Sequence, residues 1–262
     1  MSANTLVIID PQYSFCHPQG ELFVPGADAD MERVANFIEG NISLLDEIII
    51  TKDNHPRFHI GFPSFWTSKS GMSPMPFSIL SLTYDEKSIL DQNGNEFYPE
   101  LCGDYEILLV KRYLKTVGKH IVWPYHCLQN TIGNSIVEPI NSALYLWEKI
   151  HKKPPIILCK GEKPLVEEYS IVQPEDKTYD PNWYFLSNLK KSKTVFWSGE
   201  ALSHCVKKSI IDSYHACSDS NKNWFLIKDT SSPVTGFEKE AEELIKFCVN
   251  NNINFTDHTL KL

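Results

Sequence analysis

The chain has 262 residues, 42% of them hydrophobic, and a formal charge of −8. That is enough apolar material for one large core, or one domain carrying an insertion. The acidic balance argues against nucleic acid or an anionic membrane as partner, and no apolar run approaches the roughly 18 residues of a membrane span.

In chain order, TLVIID (5–10) is a short apolar run of the kind that forms a parallel strand buried on both faces. An Asp-rich start and apolar residues at helical spacing predict a helix over 27–45, and DEIIITKD (46–53) a second buried strand. The Pro-, Gly- and aromatic-rich stretch that follows reads as loop. Between about 65 and 120 the pattern is mixed, with YEILLVKRYL (105–114) compatible with a strand. Beyond it the pattern predicts helix over 134–153, strand over 155–160, helix over 180–192 and strand over 193–199. Helix over 203–217, strand over 224–229, helix over 235–251 and strand over 253–257 complete the chain. Repeated strand–helix units imply an α/β fold: a three-layer α-β-α sandwich around a mostly parallel, Rossmann-like sheet.

The positions of the reactive residues follow from that architecture. Asp10, Asp53 and Lys160 each end a strand, and the loop Gly199–Cys205 follows another. In an open α/β sheet the ligand crevice lies outside the carboxyl ends of the strands, so all four fall on one rim. Most free cysteines are small core hydrophobes. Cys205 differs because it opens a helix, where unpaired N–H groups and the dipole favour a thiolate and can receive an oxyanion. Cys159, Cys217 and Cys248 lie within strand or helix patterns and read as core, whereas Cys16, Cys102 and Cys127 lie in loops. A cysteine with an acid and a lysine nearby suits acyl transfer, the carboxylate taking the thiol proton and returning it to a leaving amine.

A second constellation is DNHPRFH (53–59) with WPYHC (123–127). Residues i and i+2 of an extended chain share a side, so Asp53 and His55 can converge. His126 would complete three protein ligands with open positions, the arrangement of a catalytic metal, and His59 is a possible fourth.

Five segments, LVIIDPQYSFCHPQGELFVPGA (6–27), TKDNHPRFHIGF (51–62), WPYHCLQNTIGNSI (123–136), CKGEKPLVEEYS (159–170) and SGEALSHCV (198–206), stand in this order. Together they resemble the isochorismatase-like cysteine hydrolases, and within them the nicotinamidases (pyrazinamidases). The resemblance spans the chain except for roughly 67–118, and it implies a single domain over 1–262 with an inserted segment at about 67–118. It implies Cys205 as nucleophile, Asp10 as proton shuttle and Lys160 as the charge that holds the thiolate. It also implies a cis peptide at Glu200–Ala201 and an oxyanion hole from the N–H groups of Ala201 and Cys205. Phe15 and Trp123 would sandwich a pyridine ring, with Tyr169 a further pocket residue. Asp53, His55 and His126, with His59 less central, would hold a divalent metal, zinc before iron or manganese, that binds the ring nitrogen. The reaction implied is hydrolysis of nicotinamide to nicotinate and ammonia through a thioester, in the salvage of pyridine nucleotides.

Ser203 stands where the family often has Asp, and the 67–118 segment exceeds that of compact members. Two alternatives stay open: a metal-free relative acting on another small amide or an enol ether, and a non-catalytic binding protein on the same fold. Relatives without the metal generally lack the Asp-x-His plus His pattern. Seven scattered cysteines without a CxxC pair, and an N-terminus without a basic leader, lead to the expectation of free thiols and a cytoplasmic location. The partner expected is a small amide substrate, with neither nucleic acid nor membrane; a homo-oligomer is compatible with the sequence.

Overall fold

In a computed structural model that describes residues 3–100, 102–217 and 222–262, the apolar runs become six parallel strands. In chain order the elements are β1 (Ala3–Ile9), α1 (Tyr13–Cys16), α2 (Ala27–Gly40) and β2 (Glu47–Asp53). Then come β3 (Trp66–Thr67), β4 (Ile79–Leu82), β5 (Ile89–Leu90), β6 (Glu96–Pro99), α3 (Asp104–Val117) and β7 (His120–Ile121). The chain returns through α4 (Glu138–His151), β8 (Ile156–Lys160), α5 (Trp183–Lys191) and β9 (Ser192–Gly199). It ends with α6 (Cys205–Ala216), β10 (Asn223–Ile227), α7 (Glu238–Asn250) and β11 (Asn254–Thr256).

The parallel sheet runs β11-β10-β9-β1-β2-β8. Because side chains alternate along a strand, Leu6, Ile8, Ile48 and Ile50 enter one core with α2 and α4. Val7, Ile9 and Ile49 enter the opposite core with α5, α6 and α7. Both faces of β1 and β2 are therefore dry, which is why their sequences are apolar runs and not alternations. The fold is the expected three-layer α/β arrangement.

The second sheet is antiparallel, ordered β3-β6-β5-β4-β7, with α3 packed on it. Its core contains Trp66, Leu80, Phe97, Tyr113 and Leu114. Here one expectation is corrected: 105–114 is helix, not strand. Its apolar residues Val110, Tyr113 and Leu114 recur at three- and four-residue spacing and form the buried stripe, while Tyr105 and Leu108 are exposed. Cys159 is a second correction, for it is exposed: β8 is the edge strand of the parallel sheet and its outward side chains are not covered. Cys16 and Cys127, placed in loops by sequence, are buried, Cys16 within the short helix α1. Among the described residues no helix is long and apolar enough to cross a membrane.

Candidate active site

Strand register brings the rim residues together. Asp53, the last residue of β2, pairs in register with Lys160, the last of β8, and Ile9 of β1 pairs with Gly199 of β9. A Cβ on Gly199 would lie 2.0 Å from the Ile9 carbonyl oxygen, so only glycine lets β9 close on the end of β1. Asp10 then turns away with φ of 45°, a left-handed conformation that Asp tolerates better than most residues. Its carboxylate accepts from the Thr51 hydroxyl at 2.6 Å and pairs with Lys160 Nζ at 2.8 Å. Lys160 Nζ also contacts Asp53 Oδ1 and lies 3.3 Å from Cys205 Sγ. Asp10, Lys160 and Cys205 thus meet as the sequence led us to expect.

Cys205 is the first residue of α6, and the peptide between Glu200 and Ala201 is cis. In the first turn of α6 the Val206 N–H donates to the Ala201 carbonyl at 3.2 Å and the Lys208 N–H to the His204 carbonyl at 2.8 Å. Burial pushes the Cys205 thiol well above its ordinary value, with Lys160 opposing that shift. Burial likewise raises Asp10, against the pull of Lys160. For Lys160 burial acts downward, but Asp10 and Asp53 together hold it well above its usual range and keep it charged. One buried cation thus faces two carboxyl groups and a thiol, groups of the kind between which a proton can pass.

The second constellation also assembles. Atoms of Asp53, His55 and His126 that can bind a metal all lie within 4.8 Å of one another. His55 Nε2 is 3.6 Å and His126 Nε2 3.9 Å from Asp53 Oδ2. His55 directs Nδ1 to the Gly161 carbonyl at 2.9 Å, and His126 directs Nδ1 to the Pro124 carbonyl at 2.8 Å. With Nδ1–H donated to a carbonyl, each neutral ring keeps its Nε2 lone pair for a cation. Gly161 is required there, because a Cβ would come within 2.8 Å of His55 Nδ1. Burial holds His126 down at about 3, and for Asp53 the upward push of burial is overcome chiefly by Lys160. The donor set, one ionised carboxylate and two imidazole nitrogens, fits a divalent cation with open positions. His59 groups instead with His55 and Glu167, and its Nδ1 accepts from the Gly61 N–H at 3.1 Å.

Phe15, Trp123, Tyr169, His204 and Glu167 line the cavity that opens onto Cys205, Asp53 and His126. Trp123 Nε1 donates to the Tyr169 hydroxyl at 2.9 Å, which fixes the indole plane. His204 meets Trp123 edge-on with ring centroids 5.0 Å apart, and burial depresses it to about 4, so this ring is neutral at pH 7. Sequence reasoning missed several groups. Gln12 clamps the Asp53 backbone, accepting from its N–H and donating to its carbonyl, each at 2.7 Å. Thr51 orients Asp10, and Glu167, raised to about 7 by burial, stands against His55 and His59. The polar residue Gln12, just past a strand end, was the one available signal; nothing in spacing points to Glu167 or His204.

No family model matches the chain. It is 25% identical over 259 residues to the nicotinamidase of Saccharomyces cerevisiae, covering 97% of this chain and 99% of that protein. The crystal structure of the yeast enzyme superposes with a TM-score of 0.68 at 20% identity, over 97% of this chain and 99% of that one. The Pyrococcus horikoshii pyrazinamidase, solved in complex with zinc, gives a TM-score of 0.57 at 19% identity, over 97% and 98% of the two chains. An isochorismatase family protein from Desulfovibrio vulgaris shares the fold as well, with a TM-score of 0.55 at 14% identity, over 99% of this chain and 96% of that one. The fold is the isochorismatase-like hydrolase fold, and the similarity to nicotinamidases runs over nearly the whole chain.

Proposed function

We propose that this chain is a metal-dependent nicotinamidase, a cysteine hydrolase that converts nicotinamide to nicotinate and ammonia. The observation that carries the reading is the contact of Lys160 with Asp10, Asp53 and Cys205 at once, which joins the thiol chemistry to the metal-ligand cluster. Full-length similarity to curated nicotinamidases supports the substrate.

In this reading the pyridine ring lies between Phe15 and Trp123, with Tyr169 holding the indole in place. Asp53, His55 and His126, with His59 a neighbouring imidazole, would hold a divalent ion, zinc the first choice, which would supply a Lewis-acid anchor for the ring nitrogen. Asp10 takes the thiol proton as Cys205 Sγ adds to the carboxamide carbon, and Lys160 stabilises the sulfur anion as it forms. The N–H groups of Ala201 and Cys205 receive the negative oxygen. Asp10 returns the proton to the departing amine, ammonia leaves, and the thioester remains. Asp10 then takes a proton from the attacking water, which releases nicotinate and restores the thiol. The whole chain, 1–262, acts as one hydrolase domain, with the segment at 67–118 inserted beside the pocket, and it works in the cytoplasm in pyridine nucleotide salvage.

The test is ammonia release from nicotinamide by purified protein, before and after metal stripping, with Cys205→Ala as the blank. Release that needs both metal and Cys205 is the expected result. Release that persists without metal, or none from folded, metal-loaded protein, moves the reading to an isochorismatase-like hydrolase of another amide or an enol ether.

A further inference from the structure

Glu200 has no part in the chemistry above, yet it is fully buried directly before Ala201. Its backbone N–H donates to the Ile9 carbonyl at 2.8 Å, which ties the loop to the end of β1 next to Asp10. Its Oε2 accepts from the Ser232 N–H at 3.1 Å. The Ser232 carbonyl in turn accepts from the Leu202 N–H at 2.9 Å, so one residue holds the loop on both sides of Ala201. The Ser232 hydroxyl donates to Asp30 Oδ2 at 2.6 Å, while Arg33 occupies Asp30 Oδ1 and also reaches the Asp229 carbonyl.

The other carboxyl oxygen, Glu200 Oε1, is buried with no hydrogen-bond partner, and the Asp30 side chain interacts with that of Glu200. Two carboxyl oxygens face each other favourably only when one carries a proton. Arg33 and Ser232 already donate to the two Asp30 oxygens, which leaves Glu200 Oε1 as the oxygen without a partner. Burial and Asp30 both push Glu200 well above the ordinary carboxylate range, in agreement. A neutral Glu200 can donate through one oxygen and accept through the other, which completes an unbroken chain from α2 to the loop.

We propose that Glu200 is a positioning residue: clamped between the Ser232 amide and the Asp30 carboxylate, it fixes the direction of the Ala201 N–H that receives the oxyanion. The inference rests on the reading of Ala201 and Cys205 as the oxyanion hole.

Steady-state hydrolysis of nicotinamide by the full-length, metal-loaded protein tests it, with wild type, Glu200→Ala, Glu200→Leu and Glu200→Gln compared. Removing an oxyanion donor outright costs about 100- to 1000-fold in kcat, so loosening one should cost roughly 10- to 100-fold with KM within about threefold. Glu200→Gln keeps one acceptor and one donor and should stay within about threefold of wild type. Alkylation of Cys205 by iodoacetamide, which makes no use of the oxyanion hole, should keep its wild-type rate in all variants. Should Glu200→Ala fail to fold, Glu200→Leu fills the same volume without either hydrogen bond and decides the matter. Wild-type kcat in the Ala or Leu variant, or a Gln variant as impaired as Ala, overturns the brace while leaving the nicotinamidase reading in place. Wild-type protein without Cys205-dependent ammonia release overturns that reading, and the brace with it.

Discussion

The two sheets of this molecule meet the cost of backbone burial in different ways. In the parallel sheet, β1 and β2 are covered on both faces, and their buried middles, Leu6 to Ile9 and Ile48 to Ile50, are wholly apolar. Reactive groups appear only where the strands end, at Asp10, Asp53, Lys160 and the loop after Gly199. The antiparallel sheet has strands of two to four residues and one buried face, against α3. It supplies none of the thiol chemistry, yet it holds the segment that carries Trp123 and His126: the Val122 N–H donates to the Ser78 carbonyl at 2.9 Å, and the Trp123 N–H to the Gly61 carbonyl at 2.7 Å. The long, dry sheet places the reaction, and the small sheet shapes the pocket wall.

Substitutions can break that division of labour. The largest effect should come from the parallel sheet's rim. Cys205→Ala should lower turnover by at least about 10⁴-fold, as loss of a covalent nucleophile does, while thermal unfolding stays near that of wild type. Appreciable residual hydrolysis would end the covalent scheme. Next is the antiparallel core. Trp66→Ala removes a fully buried indole and should destabilise by about 3–5 kcal/mol in denaturant unfolding. If the small sheet shapes the wall, KM for nicotinamide should also rise, whereas alkylation of Cys205 should not change. Equal losses in both readouts would mean that the two sheets cannot be separated.

The pH dependence of stability separates the sheets more finely. His120 is buried in the antiparallel unit, donating through Nε2 to the Ile60 carbonyl at 2.9 Å and accepting from the Tyr113 hydroxyl at 3.1 Å. Burial lowers it from 6.5 to about 4. The unfolded chain therefore binds the proton first, so this contribution is complete above pH 6.5 and is lost as pH falls toward 4. At 1.36 kcal/mol per unit it amounts to about 3 kcal/mol. His120→Gln should remove most of that acid-side slope in urea titrations at pH 7 and pH 4.5; an unchanged slope would place the effect elsewhere. The smallest change belongs to the outer face of the parallel layer. Lys177→Ala breaks the partly exposed ion pair with Asp212 on α6, 2.9 Å apart, and should cost less than about 1 kcal/mol. A larger loss would show that the loop before α5 is more firmly held than its exposure suggests.

How much of this could be read from the chain depends on range. Apolar runs such as LVII and EIII report double-sided burial locally, because a strand covered on both faces has no position left for a polar residue. The alternation of these runs with amphipathic helices determined the order of the layers, and the rule for strand ends then placed Asp10, Asp53, Lys160 and Cys205 on one rim. The short strands β3 to β7 carry no such signal, since two to four residues cannot display a period, and α3 could be taken for a strand until its buried stripe was visible.

What only the tertiary structure decided is which groups satisfy each other. Lys160 is charged because Asp10 and Asp53 flank it, and burial in the dry site works against ionisation of the Cys205 thiol. His55 and His126 offer Nε2 because two distant carbonyls take Nδ1. Gln12, Glu167 and Glu200 matter through partners 41, 112 and 170 positions away, at Asp53, His55 and Asp30. The sequence by itself determined which residues end strands. Charge, tautomer and protonation are set by desolvation and by contacts between remote segments, and these exist only once the layers have closed.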